Sequence, residues 1–561
     1  MSKIKFFALG GLQEIGKNMY VVDVDDKLFI FDCGLKYPTS QLYGVDLIVN
    51  DISYIEKNSS RVAGVFLSNA NSNYIGGISY LLKNHNYRVF GSKLTLAVLK
   101  DTLKENDIPA DKNEFVEINC KTVVNFPNVV VRFFEVPSDI PDSYGIALKT
   151  NDGYIIYTSC YNFDQNSKIN YDYLYRSLAV FSKEGVLALL TDSLGANSYE
   201  SRGTIQELTI RIHNIITSSK GRIIFSVFSS DILRIQHICN IALEHNKKIA
   251  VIGRKTQKIV NEAINLGYIN IPEESFANLR FIDEKNNNFN NDPNLVVLVT
   301  GERHEPFYML QRMARDADRL IHLEEDDTII ILTNPTLGTE KMASKTLDII
   351  YHKTSNIKLF NSSLLPTKDA NREEIKQMIN ILKPKYIIPV IGEYRHQYAL
   401  RIVANCVGYT DDKILICDNG DVVTFDDGVL GYKVSEVECG EMLIDGKAFD
   451  EVGDVVMKDR DLLADDGLII ITANINPRTK TIVAGPDVVM KGFIFIKDNL
   501  GVINKIKELF YLVSNDFLAA KFVNWNEFKT AIRNEISHYI YKEMKRNPII
   551  IPVLISTEVV K

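Results

Sequence analysis

The sequence has little of what marks several common protein classes. Its seven cysteines (Cys33, Cys120, Cys160, Cys239, Cys406, Cys417 and Cys439) never form a C-x-x-C pair. That spacing gives neither a zinc knuckle nor a disulfide framework, and the thiols are expected to be buried and reduced. No apolar run approaches the roughly 20 residues that span a bilayer. The start, Met-Ser-Lys-Ile-Lys-Phe-Phe, leads into a strand pattern and not a signal peptide. A cytoplasmic chain with no membrane partner is expected. Positive charge is not in excess either: Lys and Arg total 64 against 71 Asp and Glu, for a net charge of -7 and a pI near 5.8. Affinity for nucleic acid is therefore not announced by bulk charge and must come from local basic patches. Repeats and low-complexity linkers are absent. The 561 residues, 46% hydrophobic and 24% charged, suit a soluble globular chain of roughly two to four domains.

One polar stretch organises the chain: Leu67-Ser68-Asn69-Ala70-Asn71-Ser72-Asn73-Tyr74-Ile75-Gly76-Gly77. It follows an apolar run, Val62 to Leu67, that reads as a buried strand, and precedes a helical pattern from Ile78 to Leu82. Chemistry is often carried on such loops. Here positions 69, 71, 73 and 74 alternate as in a metal-binding H-x-H-x-D-H loop, yet none is a good ligand. Asn offers a neutral amide oxygen, and Tyr binds a metal well only as phenolate. The stretch has the form of a metal loop without its ligands.

Residues 1–195 alternate strands and helices, with hairpin signals at Asp25-Asp26 and Asn151-Asp152-Gly153. A sandwich of hairpin sheets with outer helices fits this part. From 196 to 357 the pattern becomes regular helix–strand alternation, the signature of a doubly wound parallel sheet: helices at Thr204–Ser218, Ile232–His245 and Thr256–Leu266, strands at Arg222–Phe228, Lys248–Gly253, Leu295–Thr300 and Thr328–Thr333. Residues 358–450 return to the first domain through a helix at Arg372–Leu382, a strand at Tyr386–Ile391, a helix at Gln397–Val407 and a β-rich connector turning at Asp418-Asn419-Gly420. The last part, 455–561, reads as strand Gly467–Asn474, strand Gly492–Lys497, two helices and strand Ile549–Ile555.

Ala8-Leu9-Gly10-Gly11, Glu14-Ile15-Gly16-Lys17-Asn18-Met19, Asp32-Cys33-Gly34 and the loop from Leu67 together resemble the ribonuclease J family, and the likeness extends nearly to the C-terminus. The resemblance implies an α/β fold: a metallo-β-lactamase αββα sandwich (1–195 and 358–450) interrupted by a β-CASP α/β domain (196–357), plus a small α/β C-terminal domain (455–561). It also implies RNA cleavage with two zinc ions. The family's ligand positions, however, fall on Asn69, Asn71, Asn73, Tyr74, Ser138, Cys160 and Ile391, and the histidine of a β-CASP loop falls on Asp369. Asp32 and Asp192 are retained. None of the nine histidines lies on a ligand position. Two zinc ions are therefore not expected to bind, and no other cofactor is expected.

Two roles remain for these residues. The Asn-rich loop is expected to be a hydrogen-bonded turn on the old backbone path, helped by asparagine's tolerance of left-handed backbone, with Asp32 ordering it. Asp192 and Asp369 form a candidate acid–base pair in the cleft. By resemblance, RNA would meet Ser229-Ser230-Asp231, Leu365-Pro366-Thr367-Lys368-Asp369 and Arg395, though each loop ends in an acid that weakens phosphate binding. The expectation is a catalytically inactive ribonuclease J relative, a structural or regulatory subunit in RNA processing and decay. It would work as a homo- or hetero-oligomer with an active ribonuclease J homologue, with RNA as a further partner. The rivals are a weakly active 5′-to-3′ exoribonuclease or endoribonuclease and a stand-alone RNA-binding protein.

Overall fold

The computed structural model describes residues 3–38, 42–163, 171–198, 203–253, 257–277, 292–366, 369–431, 435–445, 454–493 and 500–556. By its internal contacts the chain divides into two units, 1–39 with 47–449, and 40–46 with 450–561.

The first unit begins as two facing sheets. The first sheet runs in the order Val429–Leu430, Asp421–Asp426, Lys3–Gly10, Met19–Val24, Lys27–Phe31, Val62–Phe66, Arg88–Gly91, Glu114–Glu117. The second runs Tyr386–Val390, Val186–Asp192, Gly153–Tyr157, Tyr144–Thr150, Val129–Glu135, Val123–Phe126. The expected hairpins form. Asp25 and Asp26 both take positive φ, at 48° and 68°, the backbone a two-residue turn between twisted strands requires. Aromatic side chains from both inner faces fill the gap: Phe66 stacks on Phe90 with centroids 4.7 Å apart, and Phe31 on Tyr157 at 5.8 Å. Helices cover the outer faces, Ile78–Asn84 and Lys93–Glu105 on the first sheet, Tyr171–Glu184, Arg372–Leu382 and Tyr394–Cys406 on the second. This is the αββα sandwich of the metallo-β-lactamase fold.

The second domain of this unit holds a wholly parallel sheet in the order Lys248–Ile252, Leu295–Gly301, Ile223–Phe228, Thr328–Ile331, Ile357–Leu359. Its central strands are apolar on both faces because helices flank both sides. One charged pair is sealed into it. Arg222, 2% exposed, donates from Nε to Asp327 Oδ1 (2.9 Å) and from Nη2 to Asp327 Oδ2 (2.6 Å), and also to the carbonyl of His322 (2.6 Å).

In the second unit three strands order as Thr481–Lys491, Leu468–Asn476, Ile549–Ser556, packed on helices Leu500–Ala519 and Trp525–Met544. The expected strand at Gly492–Lys497 lies mostly outside the described residues. Gly492 has φ +67 and sits in a bend, residues 494–499 lie outside the described ones, and the strand is Thr481–Lys491. It carries Gly485-Pro486, and as an edge strand it tolerates the missing N–H. A helix at Asp454–Asp465 was not expected, and the helix placed at Gln397 begins at Tyr394. There Glu393 is the N-cap residue, and its backbone N–H donates to His396 Nδ1.

Removing one member of the Arg222–Asp327 pair strands a buried charge. Asp327→Ala is expected to destabilise the parallel-sheet domain by about 3–5 kcal/mol, read as a lower midpoint in urea unfolding. An unchanged midpoint would mean the pair contributes nothing.

Candidate functional site

Four loops meet at the C-terminal ends of sandwich strands. Asp32 follows Lys27–Phe31, Ser68 to Tyr74 follow Val62–Phe66, Ser159 and Cys160 follow Gly153–Tyr157, and Ile391 follows Tyr386–Val390. Their backbone is tightly held. Asp32 N donates to Phe66 O (3.0 Å), Cys33 N to Tyr74 O (2.7 Å) and Asn18 N to Asn73 O (3.1 Å). A Cβ on Gly34 would lie 1.7 Å from Asn73 O, so only glycine fits.

Asp32 is fully buried and ties these loops together. Its carboxylate accepts from Ser68 N (2.7 Å), Ser68 Oγ (2.8 Å) and Tyr157 Oη (2.7 Å). Burial pushes its pKa up to about 7, against the pull of those hydrogen bonds. Ser68 Oγ lies 2.9 Å from Ser159 Oγ, which accepts from Asn69 Nδ2 at 3.1 Å. Asp32 therefore hydrogen-bonds the loop to the second sheet.

The side chains of Asn69 and Asn71 are backbone acceptors, and Asn73 joins the network through its backbone. Asn69 Oδ1 accepts from Asn71 N and Asn71 Oδ1 from Asn73 N, both at 2.9 Å, and Asn71 caps the short helix Ser72–Ile75. Asparagine's tolerance of left-handed backbone plays no part, because none of the three has positive φ. The left-handed residues are Asp32 (61°), Ser159 (56°) and Ile391 (56°). For a β-branched side chain such as Ile391 that conformation is costly. Its turn is held by Ile391 N donating to Gly11 O (3.1 Å) and Tyr20 Oη (3.2 Å), and by Ser193 Oγ donating to Ile391 O (2.9 Å).

Tyr74, Cys160 and Ile391, each 2% exposed, have joined the aromatic core between the sheets. Burial, with the Cys160 thiol beside it, drives the Tyr74 phenol well above its usual range, so no phenolate forms. Ser138 Oγ lies 3.7 Å from Cys160 Sγ. Asp192 is fully buried and accepts from Leu194 N at 2.9 Å. Three neutral amides, two of them with their oxygens committed, a neutral phenol, a hydroxyl, a buried thiol and a hydrocarbon do not fit two zinc ions bridged by a carboxylate. Among the described residues, no group of three or more His, Cys, Asp or Glu side chains could hold a metal ion.

Beside these loops lies a cleft of about 430 Å³ toward the parallel-sheet domain. Asn71, Ser72 and Asn73 share its wall with Ser230, Asp231, Leu365, Pro366 and Asp369, so most of the expected RNA-contacting residues do converge. Ser229 is buried and off the wall, and Arg395 is exposed, paired with Glu393 at 2.6 Å, and also off it. Thr367 and Lys368 lie outside the described residues. The expected Asp192–Asp369 pair does not share the cleft, since Asp369 lines it and Asp192 does not.

Charge on the wall is acidic: Asp139, Asp231, Glu302 and Asp369 against Arg234 and Arg303. Both guanidiniums are engaged. Arg234 donates to Asp231 Oδ2 (2.5 Å) and Pro366 O (2.9 Å), with Asp139 at 4.0 Å. Arg303 donates to Pro38 O (2.6 Å) and stacks over Tyr37, whose hydroxyl donates to Glu302. Tyr37 gave no sequence signal, because a lone Tyr before Pro38 belongs to no motif.

Family models match in three stretches: Ribonuclease J, beta-CASP domain, over 220–350; Zn-dependent metallo-hydrolase RNA specificity domain, over 370–405; and Ribonuclease J C-terminal domain, over 455–557. A protein named Ribonuclease J2 from Bacillus subtilis (strain 168) is 34% identical over 556 residues, covering 98% of each chain. The chain belongs to the ribonuclease J family. Relatives named Ribonuclease J 2 from Staphylococcus epidermidis (strain ATCC 35984) and Staphylococcus aureus (strain NCTC 8325) are 33% and 32% identical over 553 residues, at 98% of each chain. A crystal structure of a protein of unknown function from Enterococcus faecalis V583 superposes with a TM-score of 0.52 at 13% identity, covering 76% of this chain and 100% of that one, a likeness of fold. No helix among the described residues is long and apolar enough to cross a membrane.

Asp32 sets a pH dependence. Its folded pKa near 7 stands above the ordinary 3.8. The folded chain thus holds this proton more tightly, and the stability Asp32 contributes falls as pH rises through that window. Asp32→Asn removes this slope, and its amide cannot accept as the carboxylate does, at a cost of about 1–3 kcal/mol. The melting-temperature gap between the two proteins is expected to be larger near about pH 5 than about pH 8. A gap that widens with pH would contradict the raised pKa.

Proposed function

We propose that this chain is a non-catalytic member of the ribonuclease J family, serving RNA processing as a structural or regulatory subunit beside an active homologue. The observation that carries this reading is the fate of the ligand positions. Tyr74, Cys160 and Ile391 pack as core, and Asn69 and Asn71 spend their oxygens on backbone amides. A chain so changed has no means of converting water to hydroxide at neutral pH. The acidic cleft wall also opposes an RNA backbone.

A surface for the partner is offered by the second unit. On the open face of its sheet, Val489, Ile470 and Ile551 align in one row, with Val553 in the next. Val489, Ile551 and Val553 are 45%, 42% and 36% exposed. Contiguous exposed apolar side chains of this kind mark association sites, and an obligate interface would bury about 2,000 Å² or more.

Two measurements test the reading. Purified protein is expected to show no metal-dependent turnover of 5′-monophosphorylated RNA. Activity that survives stringent purification and disappears in an Asp192→Ala, Asp369→Ala double variant would establish the weak-enzyme alternative. Co-purification with an active ribonuclease J is expected from the full chain and is expected to be lost in an Ile551→Asp, Val553→Asp variant that keeps its melting temperature. A chain that stays monomeric at micromolar concentration and never co-purifies would leave the stand-alone RNA-binding reading.

A further inference from the structure

The far edge of the second sheet carries a second concavity, of about 440 Å³. Strand Val123–Phe126 forms that edge and pairs with Val129–Glu135, which places Arg132 directly beside Val123. Helix Tyr171–Glu184 packs against the same region, and Tyr173, Arg176 and Val180 recur at helical spacing along its lining face. Lys121, from the loop before the edge strand, completes the wall.

Three cations, Lys121, Arg132 and Arg176, line this hollow, and no carboxylate does among the described residues. That is unusual in a chain with seven more acids than bases, and opposite to the acidic wall of the cleft. The nearest acid to Arg132 is weakly placed. Glu184 Oε1 is 4.0 Å from Arg132 Nη1, while Glu184 Oε2 already meets Lys149 and the Tyr154 hydroxyl (3.1 Å). Arg132 Nε is buried with no hydrogen-bond partner. Like charges around one hollow repel, and a bound anion turns that repulsion into attraction. Apart from Thr122 and Ser177, the remaining wall is mainly apolar and aromatic: Val123 and Val180 are 49% and 43% exposed, and Tyr173 is fixed by donating to Cys120 O at 2.7 Å.

We propose that this hollow binds a phosphate-bearing nucleotide unit of single-stranded RNA, away from the cleft. The phosphate meets the three cations and the base lies against Val123, Val180 and Tyr173, the combination of charge and flat apolar surface that single strands require. Its volume lies within the about 300–1,000 Å³ of small-ligand sites, which suits one nucleotide and not a duplex. The proposal goes beyond the partner role and does not depend on it.

Fluorescence anisotropy with a labelled single-stranded RNA of about twelve nucleotides, using the full chain, tests it. Between about 50 and 200 mM salt the logarithmic slope is expected near about -2, for three phosphate contacts. The variant Lys121→Glu, Arg176→Glu is expected to lose about tenfold or more in affinity and to drop to a slope near about -0.7. A control with two exposed cations reversed elsewhere, Lys104→Glu and Lys341→Glu, is expected to keep both. Arg132→Gln, with its melting temperature checked, is expected to weaken binding without a change of charge sign. Competition separates the sources of the same chemistry. Displacement by unlabelled RNA but not by AMP assigns a strand segment, and displacement by AMP at equal nucleotide concentration assigns a free nucleotide. Equal affinity in the Lys121→Glu, Arg176→Glu variant and the control, or no binding by the unsubstituted chain at the lower salt, would overturn the proposal.

Discussion

The buried carboxylate of Asp32 is the constraint on which the site depends. It stands at the end of a first-sheet strand, takes two hydrogen bonds from Ser68 in the neighbouring loop and one from Tyr157 in the second sheet. A single side chain thereby links both sheets and the Asn-rich loop. Burying it is tolerable only because its hydrogen bonds offset much of the desolvation cost. With this anchor in place, the side chains around it can change while the backbone does not.

Ile391 shows how far that separation goes. Its left-handed backbone, at φ 56°, is a conformation a β-branched residue adopts at a cost, and Gly11, Tyr20 and Ser193 hold it there. Around it, the loops converge through hydrogen bonding and packing. Tyr74 and Cys160 supply core volume, and Asn69 and Asn71 supply acceptors to backbone amides. The cleft has changed in the same direction, since its two guanidiniums satisfy neighbouring acids and carbonyls of the chain itself.

Much of the fold was legible in the sequence because it rests on patterns with short range. Apolar runs bounded by helices marked the parallel sheet, and Asp25-Asp26 marked a hairpin of the first sandwich sheet. What failed to show was tertiary. Gly485-Pro486 breaks most strands but not an edge strand, and Glu393 at the start of a helix is an uncommon cap. The residues at positions matching the family's ligands, and Asp32 beside them, could be read one by one. The engagement of Arg234 and Arg303, the place of Tyr37 and the convergence of Lys121, Arg132 and Arg176 were not, because each joins residues far apart in the chain.

The central claim is that the old metal positions now serve packing and hydrogen bonding. Metal analysis of the full chain, purified without chelator and equilibrated with zinc, tests it most directly. The account predicts zinc well below one ion per chain, unchanged by Asn69→Ala or Cys160→Ala. Two zinc ions per chain, lost on those substitutions, would contradict it.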